Sequence, residues 1–146
     1  MLVYHRGYSN GIDIGKTLIP KEILNKPGRL TLEEYEQIKL HAVYGAQALA
    51  QVKALHEISL AVRHHHERFD GSGYPDGLRG MEIPLMARII AVCDAYDAMT
   101  NDRPYRRAVS HHRALQEILG EAGGQFDPDL AAAFAALLSG EHSSTD

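Results

Sequence analysis

The sequence predicts an all-α fold, a helical bundle formed by a single domain. Apolar residues recur at intervals of three and four, and capping residues precede several of these segments. No segment alternates strictly between apolar and polar residues, as a half-buried strand would. We therefore expect residues 1–140 to form one helical domain and residues 141–146 a polar tail.

The first two helices begin at recognisable signals. Pro20 predicts a short helical turn that ends before Pro27-Gly28. Thr31 and Glu34 have the spacing of a capping box, which predicts the start of a longer helix. Its apolar face consists of Tyr35, Ile38, Ala42, Gly45, Ala46 and Leu49.

The middle of the chain predicts two further helices around a loop. The first runs from about Leu55 to His66, and the glycines of the segment Asp70 to Gly77 predict a loop after it. Pro84 opens the second, Leu85 to Met99. Because this helix is apolar on nearly all sides, we expect it at the centre of the bundle.

Two more helices complete the predicted bundle. Ser110 is a capping residue for a helix that Gly120 ends. Asp127-Pro128 predicts the start of the last helix. Its predicted core stripe is Leu130, Phe134, Leu137 and Leu138.

Composition excludes several classes of protein. The 146 residues contain 15 basic and 19 acidic side chains, a net charge of −4, which excludes a general DNA-binding protein that relies on bulk positive charge. A single cysteine, Cys93, excludes a disulfide framework. There is no apolar segment long enough for a membrane span and no signal-peptide pattern, so we expect a cytoplasmic setting. Nine histidines raise the prospect of a metal site.

Histidines and a flanked aspartate are the first candidate ligands. Asp13 lies between two isoleucines, where a carboxylate needs a partner, a metal or a capping role in a turn. His41 lies at the edge of an apolar helix face, where a core role is the commoner one. In the run His64-His65-His66, we expect His64 to be a solvated helix-end residue. We expect His65 and His66 to converge as the backbone leaves the helix.

Charged residues near the central helix are further candidates. Asp94 and Asp97 share one face of an apolar helix, and a ligand role and a structural role are equally consistent with that position. Arg103 and Arg106 follow this helix and are suited either to grip phosphate or to form salt bridges. The glycine loop with Tyr74 either holds a ligand or only turns the chain.

Taken together, these residues resemble one family. His65-His66-Glu67 followed by Asp70-Gly71-Ser72-Gly73-Tyr74-Pro75 resembles the HHExxDGxGYP signature of HD-GYP domains. Asp13-Ile14-Gly15-Lys16 resembles the end of their HDxGK motif. The resemblance extends from about Ile12 to Phe134 and implies an HD-domain-like helical bundle.

The resemblance also implies a function. HD-GYP domains are metal-dependent phosphodiesterases of bacterial signalling that hydrolyse cyclic di-GMP to pGpG and often to GMP. Their centre holds two or three iron ions, in some members manganese. Two such cations clamp a phosphodiester and activate water. Oxygen and imidazole ligands suit iron and manganese.

Residue roles follow from the resemblance. It implies metal-ligand roles for Asp13, His41, His65, His66 and Asp94. It implies catalytic roles for Asp13, which would bridge two metals, and for Lys16, which would hold a substrate phosphate. Substrate contacts are implied for Tyr74, Arg103 and Arg106.

Two departures from the family pattern change what we expect of this chain. Ile12 stands where the motif has its histidine, and only eleven residues precede it, where the family has a helical region. We therefore expect one tightly bound ion and weakened hydrolysis. We also expect the chain to bind cyclic di-GMP even where it no longer hydrolyses it.

The sequence leaves two alternative functions open. One is a degenerate module that senses cyclic di-GMP or binds a partner such as a diguanylate cyclase, and the other is a phosphohydrolase for another nucleotide. We also expect an uncovered apolar surface on the helix Leu85 to Met99, and hence self-association or a partner chain.

Overall fold

The computed structural model describes residues 12–102 and 107–141, and within these ranges it contains helices and no β-strand. The expected all-α class is therefore confirmed. The α-helices are α1 (Lys21–Leu24), α2 (Leu32–Ala50), α3 (His56–His64), α4 (Leu85–Thr100), α5 (His111–Gly120) and α6 (Pro128–Glu141). Short 3₁₀ helices span Ile14–Leu18, Lys53–Leu55 and Gly80–Glu82.

The predicted capping residues begin the helices as expected. Thr31 Oγ1 accepts a hydrogen bond from the Glu34 amide at 3.2 Å, and Glu34 Oε2 accepts one from the Thr31 amide at 2.7 Å. The Ser110 side chain accepts from the amide of Arg113 at the start of α5. These bonds satisfy amides that a helix start leaves without intrahelical partners.

The helices pack in two groups that α3 and α4 join. In the first group, the 3₁₀ helix Ile14–Leu18 and α3 both pack against α2, whose Ile38 and Ala42 are fully buried. In the second, α4, α5 and α6 enclose a core of Val92, Met99, Ala114, Ile118, Phe126 and Ala131. The segment between α3 and α4 crosses from one group to the other and carries the glycine loop.

A buried ion pair fixes the start of α4 to the start of α6. Arg88 donates to the Asp127 carboxylate and, through Nε, to the Ile83 carbonyl at 3.0 Å. Asp127 is 3% exposed, and its other oxygen accepts from the amide of Asp129 at 2.9 Å. The same carboxylate therefore caps α6 and neutralises Arg88, as a buried charge requires.

The central position expected for α4 is only half correct. Ala87 and Val92 are buried, but Leu85, Met86 and Ile89 are 56%, 55% and 38% exposed. One side of α4 packs on its neighbours, and the other is an uncovered apolar surface within the described structure. The stripe predicted for α6 also needs correction, since Leu137 is 64% exposed and small Ala131 and Ala135 take the buried positions. No helix in the described ranges is both long and apolar enough to cross a membrane.

Candidate metal centre

Four side chains from three separate segments of the sequence converge between α2 and the end of α3. One ligand atom from each of Asp13, His41, His65 and His66 lies within 4.8 Å of the others. Asp13 immediately precedes the first 3₁₀ helix, His41 lies within α2, and His65 and His66 follow the last residue of α3. The expected convergence of the two adjacent histidines is confirmed, because α3 ends at His64 and their ring centres are 3.9 Å apart.

A glycine lets the segment that carries Asp13 reach α2. A Cβ atom on Gly15 would lie 1.9 Å from the carbonyl oxygen of His41 and 2.6 Å from the amide nitrogen of Gly45. No side chain fits in this backbone contact. The glycine of the HDxGK-like motif therefore lets the 3₁₀ helix approach α2 closely enough to place Asp13 beside His41.

The histidine rings are oriented by the backbone. Nδ1 of His41 lies 2.6 Å from the Ile38 carbonyl oxygen, and Nδ1 of His65 lies 2.7 Å from that of Val62. A carbonyl oxygen only accepts, so each Nδ1 carries the proton and donates it. In the neutral rings, the lone pair is then on Nε2, which faces the cluster. Metal-binding histidines are typically held in this way.

Burial keeps two of the rings neutral. Loss of hydration lowers the pKa of His65 to about 4, although its hydrogen bond to Val62 and the charge of Asp13 act in the opposite direction. Loss of hydration, followed by the neighbouring His65 and His41 rings, lowers the pKa of His66 well below its usual value. Neutral imidazoles have lone pairs to give to a metal.

Asp13 links the histidines to Lys16. Its Oδ1 lies 3.3 Å from His41 Nε2 and 3.9 Å from His65 Nε2, and its Oδ2 accepts from Lys16 Nζ at 2.7 Å. Although Asp13 occupies the cap position of the 3₁₀ helix, its side chain makes no capping hydrogen bond. The alternative of a turn-capping aspartate is therefore wrong, and Asp13 is a buried carboxylate paired with a lysine.

The donor set fits a transition metal. The Nε2 atoms of His41 and His66 lie 3.1 Å apart, and in the neutral tautomer with its proton on Nδ1, His41 offers a lone pair at Nε2. Three imidazole nitrogens and a carboxylate oxygen suit Fe²⁺, Mn²⁺ or Zn²⁺. Because the group is mostly buried and offers more acceptors than donors, a cation would satisfy it.

The glycine loop is held against this cluster by Glu67. This carboxylate is 4% exposed and accepts hydrogen bonds from the amides of Asp76, Gly77 and Leu78 at 2.8, 3.1 and 3.1 Å. The loop thereby folds back so that the Tyr74 ring stacks on His66, with ring centres 4.9 Å apart and planes 25° apart. Tyr74 therefore lies directly beside the candidate metal centre.

His64 is not the solvated residue that the sequence suggested. It is 7% exposed, and its Nδ1 lies 3.6 Å from Glu67 Oε1 and 3.5 Å from Asp76 Oδ2. These three side chains form a second group of possible ligands. However, Glu67 already accepts hydrogen bonds from three backbone amides, and both carboxylate oxygens of Asp76 accept hydrogen bonds from Arg63, at 2.7 and 2.8 Å. The group is therefore better explained as the anchor of the glycine loop.

Of the other predicted residues, Asp94 and Asp97 are not members of the four-residue group, and the two arginines lie outside the described residues. Asp94 is half-buried on α4 and is not a member of either ligand group, and Asp97 is exposed and accepts from the Asn101 side chain at 2.7 Å. The face that Asp97 shares with Asp94 is therefore only partly turned towards the core, since nothing in the described ranges covers the side of α4 on which Asp97 lies. Arg103 and Arg106 lie outside the described residues.

Sequence reasoning missed the roles of Glu67 and His64. Glu67 belongs to the quoted signature, and the glycine-rich loop that follows it offers backbone amides, so a loop-anchoring carboxylate could have been proposed. No signal in the sequence indicates that His64 is buried, because its burial depends on how the loop returns to α3.

Comparison with known proteins agrees with this geometry. A family model described as an HD domain matches residues 11–130. The chain is 45% identical over 123 residues to a cyclic di-GMP phosphodiesterase of Pseudomonas aeruginosa, covering 84% of this chain and 30% of that protein. It is 46% identical over 119 residues to a 3′3′-cGAMP-specific phosphodiesterase of Vibrio cholerae, covering 81% of this chain and 28% of that protein.

A solved structure shares the fold. The crystal structure of a cyclic GMP-AMP-specific phosphodiesterase of Vibrio cholerae superposes with a TM-score of 0.66 and 21% identity, covering 88% of this chain and 36% of that one. The chain thus spans about a third or less of the length of these relatives. The family match covers most of the chain and includes all four converging side chains, and it bears out the resemblance read from the motifs. The chain belongs to the HD domain family.

Proposed function

We propose that this chain is a metal-dependent phosphodiesterase domain that acts on cyclic dinucleotides, with cyclic di-GMP as the leading substrate. The observation that carries the proposal is the convergence of Asp13, His41, His65 and His66, whose ligand atoms all lie within 4.8 Å of one another. The relative named above as a cyclic di-GMP phosphodiesterase, which is 45% identical to this chain, supports the choice of substrate.

The proposed ligand roles divide the residues into two sets. His41, His65 and His66 would hold one ion together with Asp13, and Asp94 would join Asp13 at a second. Bound iron or manganese would supply Lewis acidity to the scissile phosphate and lower the pKa of water. We expect about one tightly bound ion per chain, because Ile12 offers no ligand at the position where the family motif has histidine.

The chain's own residues would bind and orient the substrate. Lys16 lies 2.7 Å from Asp13 and would hold a substrate phosphate next to the cluster. Tyr74 would lie beside the nucleotide, since its ring already covers His66. Arg103 and Arg106 would supply further charge-assisted hydrogen bonds to phosphate. Hydrolysis would add water across one phosphodiester bond, with the water oxygen bonding to phosphorus and the 3′ oxygen leaving with a proton.

The decisive experiment compares the unmodified chain with Ile12→His. Both proteins are loaded anaerobically with iron or manganese, and their turnover of cyclic di-GMP and their metal content are measured together. We expect the unmodified chain to bind cyclic di-GMP but hydrolyse it slowly, and Ile12→His to raise both the metal content and the rate. Ile23→His, a half-buried isoleucine on α1, is the matched control.

Two results would contradict parts of this proposal. Rapid hydrolysis by the unmodified chain would show that Ile12 does not limit the reaction. Binding of cyclic di-GMP without hydrolysis by either loaded protein would favour the sensing or partner-binding module, for which a diguanylate cyclase is the expected partner. The predicted cytoplasmic setting remains a prediction from the sequence.

A second candidate substrate is 3′3′-cGAMP. The relative named for that activity is 46% identical to this chain, against 45% for the cyclic di-GMP phosphodiesterase, so identity does not separate the two substrates. Turnover of the two cyclic dinucleotides in one competition assay decides between them. A kcat/KM higher for 3′3′-cGAMP would replace cyclic di-GMP as the leading substrate.

A further inference from the structure

Lys39 lies near the Tyr74 ring that covers His66, and none of the roles above uses it. It is on α2, two residues before His41, and its side chain is 23% exposed. Its ammonium nitrogen lies 5.2 Å from the centre of the Tyr35 ring and 5.6 Å from that of Tyr74. Both distances are within the range of a cation–π interaction.

These contacts connect Lys39 to the metal centre through one aromatic ring. The Tyr74 ring that the ammonium approaches is the ring stacked on His66 at 4.9 Å. The sum of these two distances, 5.6 Å from the ammonium to the Tyr74 ring centre and 4.9 Å from there to the His66 ring centre, is the upper limit for the separation of the Lys39 ammonium from His66. A substrate with two phosphate groups could span this distance with one phosphate at the metal centre.

The ammonium is held in place without being fully neutralised. Within the described chain it contacts one carboxylate oxygen, Glu36 Oε1 at 2.5 Å, and Glu36 is 56% exposed, so water screens this pair. Burial raises the pKa of Tyr35, so its ring is a neutral phenol rather than a competing anion. A lysine has three donors, and aromatic rings satisfy such donors only weakly compared with a phosphate oxygen.

We propose that Lys39, positioned by Tyr35 and Tyr74, is a second phosphate-binding residue that contacts the phosphate of a cyclic dinucleotide lying away from the metal centre. This inference rests on the proposed function, because it assumes that a phosphodiester is bound at the four-residue cluster. Through Lys39, α2 would help the domain to bind substrates with two phosphates more tightly than substrates with one.

The test uses Lys39→Met, which keeps the apolar stem and removes the charge. Lys39→Arg keeps the charge, and Lys53→Met removes an exposed lysine elsewhere as the matched control. Each protein is loaded with the same metal and assayed on cyclic di-GMP and on bis(p-nitrophenyl) phosphate, which has a single phosphate. Metal content is measured in parallel.

We expect Lys39→Met to raise the KM for cyclic di-GMP by about tenfold or more, the effect of losing one charge-assisted hydrogen bond. Its metal content and its kinetics on bis(p-nitrophenyl) phosphate should be unchanged, and the other two variants should resemble the unmodified chain. An unchanged KM for cyclic di-GMP would overturn the inference. Equal losses on both compounds would also overturn it, since they would mean that Lys39 acts only by holding Tyr74 and His66.

Failure of the proposed function gives a different result. If the unmodified chain hydrolyses neither compound, the inference is tested by the dissociation constant of cyclic di-GMP, which Lys39→Met should raise by the same factor. Absence of any binding by the unmodified chain would overturn both the proposed substrate and the role of Lys39.

Discussion

The Nε2 atoms of His41 and His66 lie 3.1 Å apart, although 25 positions separate the residues in the sequence. In the neutral tautomer that donates its Nδ1 proton to the Ile38 carbonyl, His41 offers a lone pair at Nε2. His66 is held in its turn by the stacked ring of Tyr74. The backbone and the glycine loop thus preorganise two nitrogens as a pair that one cation would bridge.

Metal binding should therefore depend on the histidines that follow α3. We expect the anaerobically loaded protein to hold about one iron or manganese ion per chain and His65→Ala or His66→Ala to lose most of it, since each removes one of the nitrogen donors. His56→Ala, an exposed histidine of α3, should keep it. Elemental analysis after desalting measures the content. Equal metal content in all four proteins, or none in any, would contradict this prediction.

The metal-free protein should lose stability as the pH falls through the range of unperturbed histidine. The folded pKa of His65 is about 4 and the usual value is 6.5, so the unfolded chain binds the proton first. The free energy of unfolding should therefore fall between pH 6.5 and pH 4, by up to about 3 kcal/mol for a shift of this size. His66 should add to the effect in the same direction.

Urea denaturation in the presence of a chelator, at several pH values between 7.5 and 4.5, measures this loss. His65→Gln removes one of the two titrating rings and should reduce the dependence, and His112→Gln, which is exposed, should leave it as it was. The same slope in His65→Gln as in the unmodified chain would assign the pH dependence to other groups.

The contact between Gly15 and α2 should tolerate no side chain. In Gly15→Ala the new methyl group would meet the backbone of His41 and Gly45, which cannot rotate away as a side chain could. We expect a loss of about 3 kcal/mol or more in the free energy of unfolding and a loss of metal, because Asp13 would move away from His41. Gly120→Ala meets nothing within 4 Å and serves as the control. Stability equal to that of Gly120→Ala would contradict the close approach.

The local signals in the sequence predicted the helices well. Thr31, Glu34 and Ser110 act on amides three positions away, so the local sequence contains most of the information for these helix starts. The convergence of His65 and His66 was also expected, although α3 ends at His64, two residues before the predicted end.

The errors concern contacts between distant segments. His64 lies against Glu67 and Asp76, which the loop after α3 brings back to it, and Asp97 is exposed on a side of α4 that nothing in the described structure covers. Helical periodicity shows that residues share a face but does not show what that face meets. Likewise, the pairing of Lys16 with Asp13 and the position of Lys39 over Tyr74 depend on tertiary packing.

The uncovered side of α4 should cause self-association. Leu85, Met86 and Ile89 lie within two turns of one helix and are all more than a third exposed, and exposed Cys93 continues the same stripe. Burying a fully exposed side chain of this kind contributes roughly 1.5–3 kcal/mol. These side chains are already about half-buried, so each would contribute only part of that, and together they favour contact with a second protein surface. In a sample of the purified protein, the available partner for this surface is a second copy of the chain.

Light scattering coupled to size-exclusion chromatography measures the mass in solution. We expect the unmodified chain to exceed the monomer mass at high concentration and Met86→Glu to return it to the monomer, because the new charge would lose its hydration in the contact. Leu137→Glu, which changes an exposed leucine of α6 in the same way, should leave the mass unchanged. A monomeric unmodified chain at all concentrations would contradict the prediction. If Leu137→Glu, and not Met86→Glu, dissociated the assembly, the contact surface would lie on α6.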